Sequence, residues 1–320
     1  MPELPEAETI VRGLAPGLRG TVLHVDGILH PDVVEGEPDA FRRGVDGCSV
    51  ASVGRRGKNI VLDLAPSSFG ARPPTSSSPA ASPGARPRSA AAHAPILRLV
   101  VNLGMSGRLL LREEGDPSPP PSHPAVRFRV VRDDGSPPAL LVYHDIRRFG
   151  RLELMDPERW ADFHARMGPE PLGPRFTRAA LAAGLEASRM PLRSWLLDQG
   201  KVAGVGNIYA SEAAWRARIH PARRTADIPA ERVAPLHTSI RSVLREAVEA
   251  RGTTLRDYRT AQGWEGSFGA RLAVYGRAGD PCPRCRAPIR RIVFSNRSAF
   301  LCPRCQPEEG ELASFETSAT

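Results

Sequence analysis

The first half of the chain alternates short apolar runs with clusters of turn-forming residues. The runs are rich in β-branched and aliphatic side chains, a composition typical of strands that pack in a sandwich or barrel. Before them, Pro5 and Glu6 suit the first turn of a helix that continues over residues 7–14. The pattern predicts one helix and then eight strands, at residues 22–28, 49–53, 60–64, 96–103, 108–111, 126–131, 140–144 and 151–154.

From residue 157 onward, apolar side chains recur every three or four positions, which indicates helices. We expect helices at residues 157–167, 177–184, 191–197, 208–216, 229–251 and 254–258. The change of pattern places a domain boundary near Asp156. The predicted fold class is therefore α+β with two domains: an N-terminal β-sandwich over residues 1–156 and a helical domain over residues 157–269.

Two segments are too poor in large apolar side chains to pack. Residues 66–95 consist mainly of proline, serine, alanine and glycine with no acidic residue, which predicts a disordered insertion between two strands. Residues 307–320 are polar and acidic, which predicts a flexible tail.

The charge balance narrows the choice of partner. The chain has 320 residues with a formal net charge of +9, which suits a polyanion such as nucleic acid, although a basic surface alone is weak support. A chain of this length is long enough to form two domains that each bury a hydrophobic core. No run of 18 apolar residues and no basic-then-apolar leader occurs. We therefore expect a cytoplasmic protein without a membrane segment.

The N-terminus offers candidate catalytic groups. Pro2 becomes a secondary amine once the initiator methionine is removed, and an α-amino group with a pKa of about 7.7–8.0 is partly unprotonated at neutral pH. Such an amine can attack an aldehyde-level carbon and form an iminium. Glu3 and Glu6 lie within reach as general acid or base. The alternative is that this hexapeptide only begins a helix, and taken alone it favours that interpretation.

Lysine is almost absent from the chain. Only Lys58 and Lys201 occur among 44 basic residues. A lysine can release and transfer a proton where an arginine practically cannot. Lys58 is therefore a candidate acid or base, with a surface lysine at a strand end as an equal alternative.

Four of the five cysteines form two Cys-x-x-Cys pairs separated by sixteen residues, and Cys48 stands alone. This spacing predicts a closed structural zinc site on a β-hairpin. Eight arginines and one acidic residue, Asp280, lie between residues 270 and 305, which suits phosphate binding. A zinc ribbon that binds another protein is the alternative. The predicted zinc ligands are Cys282, Cys285, Cys302 and Cys305.

Residues 204–212 place glycines before Asn207 and a helical run. Backbone amides at such a helix start could hold a phosphate, and Asn207 as a simple helix cap is the alternative.

Arg147 and Phe149 follow the end of a strand and could enter a base stack together. His144 and Asp145 are more simply interpreted as the last residues of that strand. Met105 lies in a loop and is either an exposed contact residue or a core methionine.

Several of these motifs together resemble one family, the bacterial formamidopyrimidine-DNA glycosylases, which excise oxidised purines. The match runs from residue 1 to about residue 306 apart from the insertion. It rests on motifs that occur in the family's order: Pro-Glu-Leu-Pro-Glu at residues 2–6, Lys58, Gly-Met-Ser-Gly at 104–107, Arg-Arg-Phe-Gly at 147–150, Gly-Pro-Glu-Pro-Leu at 168–172, residues 204–212 and the cysteine pairs.

The resemblance implies the remaining architecture and the partner. The helical domain would have the helix–two-turn–helix arrangement, and residues 270–306 would form a zinc finger with one structural Zn²⁺. The partner would be damaged double-stranded DNA. The protein would be a monomeric DNA glycosylase and AP lyase of the bacterial nucleoid.

The resemblance also implies catalytic roles. Pro2 would attack the sugar C1′ of a flipped nucleotide while Glu3 donates a proton that expels the base, and Glu6 would order this site. Lys58 would be the proton donor in the β-elimination that follows. Arg297 would contact phosphate and assist δ-elimination, so that the strand is cut on both sides of the lost nucleotide.

The implied DNA contacts fall into three groups. One trio would fill the void left by the extruded base, two residues would contact phosphates, and residues 254–275 would close over the purine. The trio is Met105, Arg147 and Phe149, with Arg147 facing the orphaned cytosine, and the phosphate contacts are His123 and Asn207.

The chain departs from the family at Asn102, where histidine is usual, so one phosphate contact is in doubt. Ser188, Arg189 and Arg193 stand where lysines are common. Two alternatives stay open. One is an endonuclease VIII-type glycosylase that removes oxidised pyrimidines, and the other is a zinc-finger DNA-binding homologue that has lost catalysis. Leu4 and the void-filling trio favour the purine enzyme, and intact Pro2, Glu3 and Lys58 argue against the silent homologue.

Overall fold

The computed structural model describes residues 2–66, 96–117, 121–254, 265–294 and 297–308. The predicted disordered insertion lies outside the described residues except for its first residue, Pro66. The predicted helix at 254–258 and the tail at 307–320 also lie outside them, except for Thr254, Pro307 and Glu308.

Eight antiparallel strands form the first part of the protein, and all eight predicted strands are confirmed. They are joined in the order β5-β7-β6-β1-β2-β3-β4-β8. Their bounds are β1 Val22–Ile28, β2 Cys48–Arg56, β3 Asn59–Pro66, β4 Leu97–Asn102, β5 Arg108–Arg112, β6 Pro124–Val131, β7 Ala139–His144 and β8 Arg151–Met155.

The strands form two halves that face one core, as predicted for a sandwich. β1 pairs with β2 at only two positions, so the halves meet at a corner. Ile60 and Leu62 of β3 share the core with Phe128 and Leu141 of the other half. Val61 points to the opposite face, as the period-two alternation of a strand requires, and packs in a separate small cluster.

The first helix, α1, spans Leu4–Leu18 and links the two parts of the protein. It begins one residue before the expected start at Pro5, so Pro5 occupies its second position. Ile10 and Leu14 pack in the sandwich core, whereas Leu4 packs in the core of the helical part. The residues before Leu4 therefore lie at the junction of the two cores.

The helical part is confirmed over the described residues. Its helices are α3 Pro157–Arg166, α4 Arg178–Glu186, α5 Leu192–Leu197, α6 Asn207–Ala217 and α7 Ala230–Glu249. α3 packs on the outer face of the sheet through Trp160 and Phe163, and the other four helices build a second core.

One helix is absent from the sequence prediction, α2 over Pro38–Val45. Only Phe41 and Val45 are buried in it. Two buried side chains in eight residues are too few to reveal a helical period.

The last described elements are the antiparallel strands β9 Arg290–Phe294 and β10 Arg297–Leu301, which form the predicted hairpin between the cysteine pairs. Among the described residues, no helix is both long and apolar enough to cross a membrane.

Candidate active site and DNA-facing loops

Glu3 lies at the N-termini of two helices. It precedes α1, and its carboxylate accepts hydrogen bonds from the backbone N–H groups of Gly206 at 2.7 Å and Ile208 at 2.9 Å at the start of α6. Gly206, not Asn207, occupies the N-cap position of this helix, and the Glu3 carboxylate supplies the capping hydrogen bonds. The amides proposed above as a phosphate site are thus bound by Glu3 and are not available to a phosphate.

Burial changes the acidity of Glu3. The residue is 2% exposed, and loss of solvation raises its pKa to about 7, partly offset by the nearby Lys58 ammonium group. A carboxyl with such a pKa is partly protonated at neutral pH and can act as a proton donor. Pro2, the preceding residue, is buried with it.

Glu6 holds the start of the chain in place. One of its oxygens accepts hydrogen bonds from the Tyr209 hydroxyl at 2.6 Å and the Thr253 N–H at 2.7 Å. The other accepts one from the Glu3 N–H at 2.8 Å. Burial raises the pKa of Glu6 as well, although the hydrogen bonds that its carboxylate accepts lower it in part. Through these hydrogen bonds, Glu6 links the chain around Glu3 to Tyr209 and Thr253.

Lys58 occupies the two-residue turn between β2 and β3. Gly57, the first turn residue, has a φ of 58°, as a type II′ hairpin turn requires. Burial lowers the pKa of Lys58, the Glu3 carboxylate raises it, and the Arg297 guanidinium lowers it again. The structure therefore brings Lys58, Glu3 and Arg297 into one electrostatic environment.

Glu170 fixes the turn that carries Lys58, a role that the sequence does not reveal. Its carboxylate accepts hydrogen bonds from the Gly57 N–H at 2.6 Å and from Arg56 at 3.0 Å, and it also pairs with Arg55. Arg56 donates in addition to the carbonyl oxygen of Gly168 at 2.7 Å. The motif at residues 168–172 thus binds the Lys58 turn to the helical part.

Arg193 is a second residue whose role sequence reasoning missed. Its guanidinium is buried and donates to the Asn207 side-chain oxygen at 2.6 Å. Asn207 in turn donates to the Ser298 carbonyl oxygen of β10 at 2.9 Å. These contacts attach the hairpin of β9 and β10 to α6. We call it the zinc hairpin, and Arg297 lies in it next to Ser298. The side chain of Asn207 is therefore engaged within the protein.

Two loops, residues 103–107 and 145–150, meet at the surface, and we call them the wedge loops. Met105 is 41% exposed and Phe149 is 61% exposed, so the alternative of a core methionine is wrong. Gly104 and Arg148 both have left-handed φ values, 55° and 54°, which turn the backbone sharply at each tip. Arg147, which precedes Arg148 in the second loop, is also exposed.

Asp145 holds the wedge loops together and does more than finish a strand. It is 1% exposed. Its carboxylate accepts hydrogen bonds from the Ser106 hydroxyl at 2.6 Å, the Gly150 N–H at 2.8 Å and the Tyr143 hydroxyl at 3.1 Å. One buried acid therefore fixes both loops.

His123 lies beside the wedge loops, at the start of β6. Its imidazole is exposed, and its ring centroid is 5.7 Å from that of His144. Its carbonyl oxygen accepts a hydrogen bond from the Asp145 N–H at 3.2 Å. The structure thus places the predicted phosphate contact close to the predicted void-filling residues.

The four cysteines of the hairpin form a metal site. Their sulfur atoms all lie within 4.8 Å of one another. The Cys282–Cys305 and Cys285–Cys302 Sγ distances are 3.9 and 3.3 Å, which are too long for disulfides. Tetrahedral zinc with Zn–S bonds of about 2.3 Å separates its sulfur ligands by about 3.8 Å. The donor set fits one structural zinc ion and leaves no position open for substrate.

Three family models match consecutive parts of the chain. They are the formamidopyrimidine-DNA glycosylase N-terminal domain at residues 1–152, the formamidopyrimidine-DNA glycosylase H2TH domain at 167–259, and a zinc finger found in FPG and IleRS at 279–307. The formamidopyrimidine-DNA glycosylase of Thermomicrobium roseum is 41% identical over 320 residues, covering 96% of this chain and 99% of that protein. The chain belongs to the formamidopyrimidine-DNA glycosylase family.

Other relatives and solved structures agree with membership of the formamidopyrimidine-DNA glycosylase family. The Chloroflexus aurantiacus member is 39% identical, covering 96% of this chain and 98% of that protein. MutM (FPG) from Thermus thermophilus superposes with a TM-score of 0.75 at 36% identity, covering 96% of this chain and 99% of that one. A variant of Lactococcus lactis FPG in complex with a Fapy-dG containing DNA gives 0.79 at 27% identity, with coverage of 96% and 100%.

Proposed function

We propose that this protein excises oxidised purines, such as 8-oxoguanine and formamidopyrimidines, from duplex DNA and then cleaves the strand at the resulting abasic site, with Pro2 as the nucleophile. The observation that carries the proposal is the buried arrangement around Glu3. A nucleophile, a proton donor and a lysine converge there, in a chain whose family is named for this substrate.

Each residue at this junction has chemistry that suits one step. The Pro2 nitrogen attacks the sugar C1′, and Glu3 gives its proton to the base, which leaves. The C1′–O4′ bond then breaks as O4′ takes up the proton that the Pro2 nitrogen releases, and the product is an iminium between the Pro2 nitrogen and the opened sugar. Lys58 supplies a proton in the following β-elimination, and Arg297 binds phosphate and assists δ-elimination. Glu6 orders the site without touching the sugar.

The exposed residues suit a DNA partner. Met105, Arg147 and Phe149 project from the wedge loops and fill the void left by a flipped nucleotide, with Arg147 facing the opposite cytosine. His123 contacts a phosphate from the adjoining surface. Asn207 contacts a phosphate from the start of α6, and its side-chain amide also binds the zinc hairpin through the Ser298 carbonyl oxygen. We further propose that the protein acts as a monomer in the bacterial cytoplasm, at the nucleoid.

Borohydride trapping tests the proposal. Reduction of the iminium fixes the protein covalently to its DNA, so we expect a trapped complex with a duplex containing 8-oxoguanine opposite cytosine. Pro2→Gly should trap less than about one hundredth as much, since it replaces the secondary amine and loosens the start of α1. Pro137→Gly, in the exposed turn between β6 and β7, is the matched control and should trap like wild type.

A parallel duplex with an oxidised pyrimidine separates the alternatives. Strong preference for the pyrimidine would assign an endonuclease VIII-type activity to the protein. Absence of any adduct on either lesion would refute an enzyme and leave a DNA-binding homologue.

A further inference from the structure

Asn102, the last residue of β4, connects two functional segments. Its side-chain NH₂ donates to the Asn59 side-chain oxygen at 2.8 Å. Its side-chain oxygen accepts a hydrogen bond from the Gly104 N–H at 2.9 Å. Asn59 and Asn102 are directly paired across β3 and β4, so strand register fixes the two amides opposite each other.

The Asn59 end of this pair leads to the catalytic lysine. Asn59 follows Lys58 in the chain and is 8% exposed. Its NH₂ group donates to the Arg56 carbonyl oxygen at 3.1 Å, across the two-residue turn that carries Lys58. An amide that closes this turn limits the positions Lys58 can take.

The Asn102 end leads to the wedge loops. Gly104 precedes Met105 and lies against the second loop, because a Cβ at this glycine would be 2.6 Å from the Gly150 nitrogen and the Phe149 carbonyl carbon. A shift of Gly104 must therefore displace Phe149, Met105 or both. Hydrogen bonds and close packing run without interruption from the Lys58 turn to both tips.

We propose that Asn102 is a positioning residue that, with Asn59, couples insertion of the wedge loops into the duplex to the placement of Lys58. The inference rests on the function proposed above. An amide suits this position because it donates at one end and accepts at the other, whatever the pH. Asn102 would thus replace the family's histidine by a contact within the protein rather than by a phosphate contact.

The test measures rate and affinity separately for Asn102→Ala. We expect single-turnover excision of 8-oxoguanine at saturating protein to slow about tenfold, which corresponds to the loss of one or two hydrogen bonds. The Kd for the same duplex should change by less than about twofold, with an unchanged salt dependence. A 2-aminopurine beside the lesion, which brightens when unstacked, should report slower insertion.

Two further variants sharpen the test. Asn102→Asp keeps the acceptor for Gly104 and loses the donor to Asn59, so it should be about as slow as Asn102→Ala. Asp134→Ala is the matched control. Its carboxylate accepts from the Ser136 N–H at 2.9 Å, the same local contact, at the opposite end of β6 and β7. It should excise like wild type.

Other results overturn the proposal. A Kd weakened by more than about twofold at an unchanged saturated rate would make Asn102 a phosphate contact, with the salt slope unchanged because a neutral amide releases no counterion. Wild-type rates in both Asn102 variants would exclude any role while leaving the proposed function intact. Absence of excision by the wild-type protein would instead refute the proposed function, and the coupling with it.

Discussion

At the scale of single residues, Glu3 shows how one side chain can serve both structure and chemistry. Its carboxylate caps α6, and its burial at the junction of two cores raises its pKa to about 7. A solvated glutamate would be almost wholly ionised at neutral pH and could not protonate a leaving base. In the mechanism proposed above, the burial of Glu3 therefore retains the proton that the departing base takes up.

The raised pKa predicts the pH dependence of excision. Glu3 must be protonated and the Pro2 amine must be unprotonated, so single-turnover excision of 8-oxoguanine should pass through a maximum between about pH 7 and 8 and fall above it. Cleavage of a duplex with a preformed abasic site needs no proton for a departing base and should lack this fall.

The acid role of Glu3 can be isolated by substitution. Glu3→Gln should slow excision by a factor of about 100 or more, the usual contribution of a general acid, and still be trapped on abasic DNA. An excision rate that keeps rising to about pH 9 in the wild-type protein would contradict the assignment.

At the scale of elements, the sequence predicted those helices and strands whose formation depends on the pattern of apolar residues within the segment itself. β1 has the bounds expected from its run of apolar residues, and the hairpin of β9 and β10 lies between the cysteine pairs as predicted. α2 escaped prediction because it buries only two side chains.

The sequence did not predict the contacts between segments that lie far apart in the chain. Glu170 meets the Lys58 turn more than one hundred residues away, and Glu3 caps α6 from 203 positions away. Residue types named Pro2, Glu3 and Lys58 as candidates through their chemistry. Glu170 and Arg193 belong to segments that the sequence analysis noted, but nothing within those segments shows which groups the two side chains contact.

The start of α6 predicts the effect of a single added methyl group. A Cβ at Gly206 would overlap the Glu3 carboxylate, with the Glu3 Cγ at 2.7 Å. We expect Gly206→Ala to displace Glu3, to lower stability by about 1–3 kcal/mol and to slow excision at least about tenfold. Thermal unfolding and single-turnover assays measure the two effects.

Gly54→Ala in β2 provides the control for added volume, because a Cβ there meets nothing within 4 Å. It should match wild type in rate and melt within a few degrees of it. Equal behaviour of the two variants would mean that the Glu3 cap does not matter for catalysis.

At the scale of the whole molecule, the sandwich, the helical part and the zinc hairpin are joined by one shared helix and by a few specific side-chain contacts. α1 joins the sandwich core to the helical core. The zinc hairpin attaches to the helices through Ser298, through the Gln306 amide on the Ile219 carbonyl oxygen at 2.8 Å, and through Arg284 stacked 4.3 Å over the Trp215 ring. These contacts place the hairpin that carries Arg297 against the helices.

Removal of zinc should disconnect this hairpin. We expect one zinc per wild-type chain, and loss of the metal from Cys302→Ser should weaken DNA binding at least about tenfold. Metal analysis and fluorescence anisotropy with a lesion-containing duplex measure both. Cys48→Ser is the matched control, since Cys48 lies outside the cluster. Full DNA binding after complete zinc removal would exclude the structural role.

The junction at α1 also has a consequence for synthesis. Glu3 and Glu6 find their partners in Gly206, Tyr209 and Thr253, which leave the ribosome some two hundred residues later. The sandwich can fold first, as N-terminal domains generally do during translation, but its catalytic start stays without a cap until α6 has been made. A chain that terminates before α6 thus carries Pro2 without Glu3 held in place, and the strand cleavage proposed above can arise only after α6 has been made.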